Sequence, residues 1–261
     1  MSVIFGPVSS WRLGTALGLD LVDSDHKRCT FDCVYCPEKK HSQASTKRHW
    51  CVGLSAVECG LRSVGQGKAE CVTFCGNGEP TVASNLSESI DLARKIIGLP
   101  VAVLTNSSLI WRDDVKRDLG KADTVVAKLD AYDEQSFRAI NRPLFPCSFE
   151  SIVGGLREFR SGFGGKLALQ MVLTDASKPH AQEMAALARS MSPDEVQLCV
   201  RGPWKAAQTV SPETETLHGL FSDLNMRSVH TDAPSWALIS DLGKMQHSRP
   251  NAAVMLMGVE A

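Results

Sequence analysis

The chain has 261 residues, 43% of them hydrophobic, and a net charge of −1. That length supports a full α/β core, and no apolar run approaches the roughly 18 residues of a membrane span. Near-neutral charge argues against a protein built mainly to cover phosphate backbones. The N-terminus lacks a basic segment leading into an apolar stretch, so a cytoplasmic protein without a secretory signal is expected.

In chain order, short apolar runs alternate with amphipathic ones. The first strand is expected at 16–22 and leads into a segment holding three cysteines. A second, at 71–75, ends in Gly76-Asn77-Gly78-Glu79-Pro80-Thr81. A helix follows at 86–97, with Leu86, Ile90, Ala93 and Ile97 on one face. Asn85 and Glu88 have capping-box spacing at its start, and Gly98 and Pro100 stop it. Strands at 101–105 and 124–129 come next, then a helix at about 149–159 capped by Ser148. Strands at 167–173 and 195–200 alternate with weaker helices at 181–189 and 213–224. Such runs suit strands buried on both faces. Strand–helix alternation implies βαβ crossovers and a parallel sheet. Six units make a partial (β/α)6 barrel in a single domain over 1–261. Its core is expected at about 15–205, with a helical or irregular extension over 206–261. Ligands in such sheets lie at the C-terminal ends of the strands.

Nine cysteines are many for a cytoplasmic chain, and their odd number argues against a disulfide framework. Cys29, Cys33 and Cys36 have the spacing Cys-x3-Cys-x2-Cys. Three thiolates so close converge only if the loop wraps a metal centre. A [4Fe–4S] cluster held by three of them leaves one iron for another ligand. A zinc site completed by His26 or His41 is the alternative. Of the other six, Cys71, Cys75 and Cys199 read as small buried hydrophobes, and Cys59 has no assigned role. Cys51 and Cys147 are the only credible extra ligands, and no auxiliary cluster is expected. Residues 26–50 carry six Lys/Arg (Lys27, Arg28, Lys39, Lys40, Lys47, Arg48) against Asp32 and Glu38. This stretch is either a solvated loop or an anion-attracting rim.

Cys29-Thr-Phe-Asp-Cys33-Val-Tyr35-Cys36 after a first strand resembles the signature of radical S-adenosylmethionine (SAM) enzymes, with Tyr35 in the aromatic position. The resemblance implies a partial barrel of the radical SAM type. It also implies a [4Fe–4S] cluster whose open iron chelates SAM, reductive cleavage of SAM, and a 5′-deoxyadenosyl radical that abstracts hydrogen from a substrate. The turn Gly76, Asn77, Gly78, Glu79 resembles the family's SAM-binding turn, departing from it by Asn77. Further segments are Gly6-Pro7-Val8, Arg12-Leu13-Gly14, Leu17-Gly18-Leu19-Asp20, Leu104-Thr105-Asn106-Ser107, Lys128-Leu129-Asp130-Ala131 and Asn141-Arg142-Pro143. Together they resemble small stand-alone radical SAM proteins related to wybutosine-synthesising tRNA enzymes, over roughly residues 3–175. Trp11 and Pro37 depart from that pattern, which more often has Arg and Gln there.

By this resemblance Tyr35, Gly76, Asn77, Gly78, Glu79, Thr105, Asn106, Lys128 and Gln170 are candidate SAM-binding residues. Asp130 shares the barrel mouth, and a structural Lys128–Asp130 pair is the alternative role for Lys128. Arg201 and Trp204 are candidates for substrate contact. No catalytic side chain is assigned, because hydrogen abstraction needs none that is charged. The implied partners are SAM and an electron donor such as flavodoxin or ferredoxin. A small-molecule or peptide substrate with an anionic group is expected, and tRNA is the alternative. A non-catalytic iron–sulfur protein is the third reading.

Overall fold

A computed structural model describes residues 3–22, 28–36, 47–64, 69–200 and 210–232. Eight strands form one sheet in sequence order. Strands β1 (Ile4–Ser10) and β2 (Gly14–Leu19) make an antiparallel pair. Then β3 (Cys71–Phe74), β4 (Val101–Thr105), β5 (Thr124–Lys128), β6 (Lys166–Leu173), β7 (Glu195–Val200) and β8 (Met226–Ser228) each run parallel to the strand before. Helix α1 (Leu54–Ser63) joins β2 to β3, α2 (Leu86–Ile97) joins β3 to β4, and α3 (Asp113–Leu119) joins β4 to β5. Two helices, α4 (Glu134–Ile140) and α5 (Phe149–Gly162), lie between β5 and β6. Helix α6 (Ala181–Arg189) precedes β7, α7 (Pro212–Gly219) precedes β8, and α8 (Val229–Asp232) follows it.

The central strands are buried on both faces, which is why they read as unbroken apolar runs. Their outer faces pack under the helices. Val72, Val103 and Val125 share a core with Leu61, Ile90 and Leu156. Their inner faces form a second cluster in which Phe5, Val8 and Trp11 meet Tyr35, Cys75, Val172, Cys199 and Val229. That cluster joins the first strand to the sixth and seventh, so the sheet must curl. Arg227 of β8 donates to the Trp11 carbonyl at 3.2 Å, although no ladder pairs β8 with β1. The result is a partial barrel.

Several elements differ from the sequence reading. The strand expected at 16–22 ends at Leu19, because Asp20 leaves the ladder to accept N–H groups from Val22 (3.0 Å) and Asn77 (3.2 Å). Strands β1 and β8 and helices α1, α3, α4 and α8 are additional. The sheet continues past residue 205, where helical or irregular chain is expected. Asn85 does not cap α2: its amide donates to the Val52 carbonyl at 2.8 Å, tying the helix start to the segment before α1. The other end agrees, with Gly98 at φ +73° closing α2. Ser148 caps α5 by accepting the Ser151 N–H. The helix expected at 213–224 ends at Gly219.

Candidate functional site

The cysteine loop leaves β2 and lies across the C-terminal ends of the strands. Later parts of the chain hold it there. The Asp32 N–H donates to the carbonyls of Asn141 and Arg142, both at 3.1 Å, and Val34 N–H to Ile140 at 2.9 Å. Leu144 N–H donates to the Thr30 carbonyl at 3.0 Å, and Glu79 N–H to that of Arg28 at 2.9 Å. The Thr30 and Ser108 hydroxyls lie 2.7 Å apart. The Phe31 ring meets Phe137 of α4 edge-on. A backbone of unpaired loop amides is thereby satisfied without a sheet.

Cys29, Cys33 and Cys36 all line one cleft at the strand ends. Tyr35, Gly78, Glu79, Thr105, Asn106, Lys128 and Gln170 line it too. Gly76 and Asn77 are not among its lining residues. Arg12, Phe31 and Leu104 join the lining. Arg12 belongs to the segment Arg12-Leu13-Gly14, and its charge is the signal in the sequence that marks it. Arg201, Trp204, Lys27, Lys39, Lys40, His26, His41 and Pro37 lie outside the described residues, as does most of the 206–261 extension.

Two amides face the sulfurs. Asn106 Nδ2 lies 3.4 Å from Cys29 Sγ and 2.9 Å from Thr30 Oγ1. Asn141 Nδ2 lies 3.5 Å from Cys33 Sγ and 3.1 Å from Asp130 Oδ2. Burial pushes the Cys33 thiol up to about 12, against the nearby Lys128 cation and the Asn141 amide, which hold it down. A metal supplies the missing compensation when it replaces the proton on such a sulfur.

Lys128 sits over the Tyr35 ring, with Nζ 4.4 Å from its centroid. The Tyr35 hydroxyl donates to Asp130. Asp130 also accepts from Asn141 and from the Val172 N–H at 2.9 Å. The signature aromatic is therefore clamped between a cation on its face and a carboxylate at its tip.

Glu79 is 2% exposed, and its carboxylate is spent on the protein. It accepts from Thr105 Oγ1 (2.6 Å), the Asn106 N–H (2.6 Å), and Thr81 through both its N–H (3.1 Å) and its hydroxyl (2.7 Å). Burial pushes this carboxyl upward and the four donors oppose that. Thr105 likewise spends its hydroxyl here. The glycines of the same turn are needed for packing within the chain. A Cβ on Gly76 would collide with the Asp20 carboxylate, and one on Gly78 with the Arg28 carbonyl. Glycine allows the turn to nest against the cysteine loop.

The basic stretch changes meaning in part. Arg48 is no rim residue: its side chain is 8% exposed and pairs with Asp114 at 3.1 Å and with Asp118. It also donates to the carbonyls of Thr81 and Ala83. Arg28 and Lys47 are exposed.

Among the described residues, no three His, Cys, Asp or Glu side chains converge on one point as a single metal ion requires. The donor set suits a larger, softer group: three sulfurs on one cleft, two facing amide N–H donors.

Comparison with known proteins follows the same line. The radical SAM superfamily model matches residues 25–187. A UPF0026 protein of Synechocystis is 33% identical over 196 residues, covering 75% of this chain and 74% of that one. A UPF0026 protein of Methanocaldococcus jannaschii is 35% identical over 182 residues, 68% of this chain and 56% of its own length. A protein named GTPase Obg from Brachyspira hyodysenteriae is 30% identical over 92% of this chain, which spans only 36% of it. Among solved structures, TYW1 with a lysine–pyruvate adduct superposes with a TM-score of 0.58 at 18% identity, covering 73% of this chain and 67% of that one. Native anSMEcpe with AdoMet and a peptide gives 0.60 at 15% identity, covering 81% and 63%. These last two likenesses establish the fold. The superfamily's cofactors are a [4Fe–4S] cluster and SAM. With its signature cysteines on one cleft at the strand ends and the superfamily model matching most of its length, this chain belongs to the radical SAM superfamily.

Proposed function

We propose that this protein is a radical SAM enzyme in which Cys29, Cys33 and Cys36 hold the [4Fe–4S] cluster and the adjoining cleft binds SAM. The observation that carries this reading is that three thiols of one loop line a single cleft at the C-terminal mouth. When bound, cluster and SAM supply a carbon radical that removes hydrogen from a substrate C–H bond. The chain's own residues bind, orient and exclude water. Arg12 and Lys128 put two cations on the cleft, suited to the SAM carboxylate or to an anionic group of the substrate. Tyr35, held by Asp130, forms a fixed wall beside the sulfurs. Gln170 offers a polar contact from β6, and the Glu79 network holds the turn that lines the opposite side.

A small or peptide substrate with an anionic group suits two cations and a near-neutral chain. An electron donor of the flavodoxin or ferredoxin type would reduce the cluster. The test is anaerobic reconstitution, which should load about four irons with matching sulfide. Reduced protein given SAM should then release 5′-deoxyadenosine, faster with the extract fraction that holds the substrate. One zinc per chain and no iron would overturn the assignment, as would an intact cluster that leaves SAM uncleaved. Steep loss of substrate binding with salt would shift the substrate to tRNA.

A further inference from the structure

We propose that Asn106 and Asn141 are positioning residues that set the reduction potential of the cluster by donating N–H to the sulfurs of Cys29 and Cys33. The inference rests on the cysteine assignment above. Both asparagines come from distant parts of the chain, one at the end of β4 and one at the C-cap of α4. Both place Nδ2 within 3.5 Å of a sulfur.

The direction of each amide is determined by its other partners. Asn106 Oδ1 accepts the Ser108 N–H at 3.0 Å, so Nδ2 must face the loop. There its two hydrogens are divided between Thr30 Oγ1 and Cys29 Sγ. Asn141 Nδ2 faces the Asp130 carboxylate, a group that only accepts when ionised, and its second hydrogen is directed at Cys33 Sγ. Flipping either amide would set oxygen against oxygen or leave a backbone N–H unpaired.

The backbone supports the same conclusion. The residue after each asparagine, Ser107 at φ +67° and Arg142 at φ +48°, occupies the left-handed region that non-glycine residues rarely enter. Ser107 is held there by two bonds: its N–H donates to Thr105 Oγ1 and its hydroxyl to the Lys128 carbonyl. Uncommon backbone next to both amides marks positions that the surroundings over-determine.

A neutral thiol is a weak acceptor, whereas a metal-bound sulfur carries negative charge that N–H donors stabilise. Reduction adds an electron to that charge, so these donors favour the reduced cluster and raise its potential. Removing one should make the cluster harder to reduce.

The test is the midpoint potential of reconstituted Asn106→Ala, Asn141→Ala, Asn106→Asp and Asn141→Asp, followed by the spectrum of the reduced cluster, with iron counted beside it. Each alanine variant should keep about four irons and lower the reduced-to-oxidised ratio at fixed poise about tenfold, equivalent to ~59 mV for one electron. The near-isosteric aspartates replace an N–H by a negative oxygen and should lower it further. Unchanged potentials with full iron would overturn the inference and leave the cysteine assignment standing. Loss of iron from all four variants would also overturn it, assigning the amides to retention of the cluster. Failure of the assignment itself would show separately, as iron kept by Cys29→Ala, Cys33→Ala and Cys36→Ala combined.

Discussion

The cysteine loop and the barrel wall hold the same residue type in different company. On the wall, Cys71 and Cys75 lie among Phe5, Val8 and Ala16. Cys71 acts as a donor, its Sγ lying 3.6 Å from the Leu13 carbonyl. Burial pushes the Cys75 thiol upward, the Asp20 carboxylate pushes it further, and the Arg12 cation opposes the rise. In the loop, Cys33 is also pushed upward by burial, with Asp130 and Cys29 adding to the rise and Lys128 and Asn141 opposing it, and Cys29 and Cys33 accept amide N–H bonds. Burial therefore does not separate a ligand cysteine from a packing cysteine. What Cys29 and Cys33 have, and Cys71 lacks, is an asparagine N–H directed at the sulfur.

Replacing Cys29, Cys33 and Cys36 together by Ala should abolish iron binding and SAM cleavage, the largest effect. The matching change on the wall, Cys71, Cys75 and Cys199 to Ala, should keep full iron and lower stability by about 1 kcal/mol per site. Iron analysis and thermal melts decide between the two groups, and loss of iron from the wall variant would break the distinction. Next in size, Gly78→Val should push the turn off the Arg28 carbonyl. A stability loss of about 1–3 kcal/mol is expected, with weaker SAM binding and poorer cluster loading. Normal loading and SAM affinity would remove the nesting of turn and loop from the site. Glu79→Gln sets an NH2 group against donors now facing a carboxylate. It should cost about 1–3 kcal/mol, read as a lower Tm, with iron retained. The smallest effect sharpens the comparison. Cys51 and Cys147 both approach carbonyl oxygens, at 3.8 and 3.9 Å, and Cys51 also accepts from Arg28 at 3.7 Å. Changing both to Ser should leave iron content unchanged, and loss of about four irons per chain would reveal a second cluster.

The parallel core was legible because strands buried on both faces have no polar alternation to hide them. Strand β1 was not: Gly6-Pro7 interrupts its pattern, and its register shifts between Phe5 and Val8. Strand β8 has three residues, too few to show a period. Helix α1 lacks a side-chain cap, and α3 and α4 have seven residues each. At the candidate site, spacing, strand-end position and the family resemblance mark the cysteines, Tyr35, Glu79, Lys128 and Gln170, all of which line the cleft. The same resemblance marks Asn106, which lines the cleft with its amide directed at Cys29 and Thr30. Asn141 was visible only as part of a segment, because nothing local shows that residue 141 returns to Cys33. Arg48 misled because a charge in a basic run looks solvated, and its aspartate partners lie on α3.

The tethering of the cysteine loop by Asn141, Arg142 and Leu144 has a consequence for the order of synthesis. A chain emerging from the ribosome presents all three cysteines early, more than a hundred residues before the carbonyls that accept the Asp32 and Val34 N–H groups. Until α4 has been made and docked, the loop lacks those anchors, and Cys33 lacks the Asn141 amide and the Lys128 cation. Contacts this distant in sequence form late. The thiols therefore pass through an interval in which they are exposed and unshaped, open to oxidation or to stray metal. Iron–sulfur loading belongs after that interval, on a chain already folded through β5 and α4.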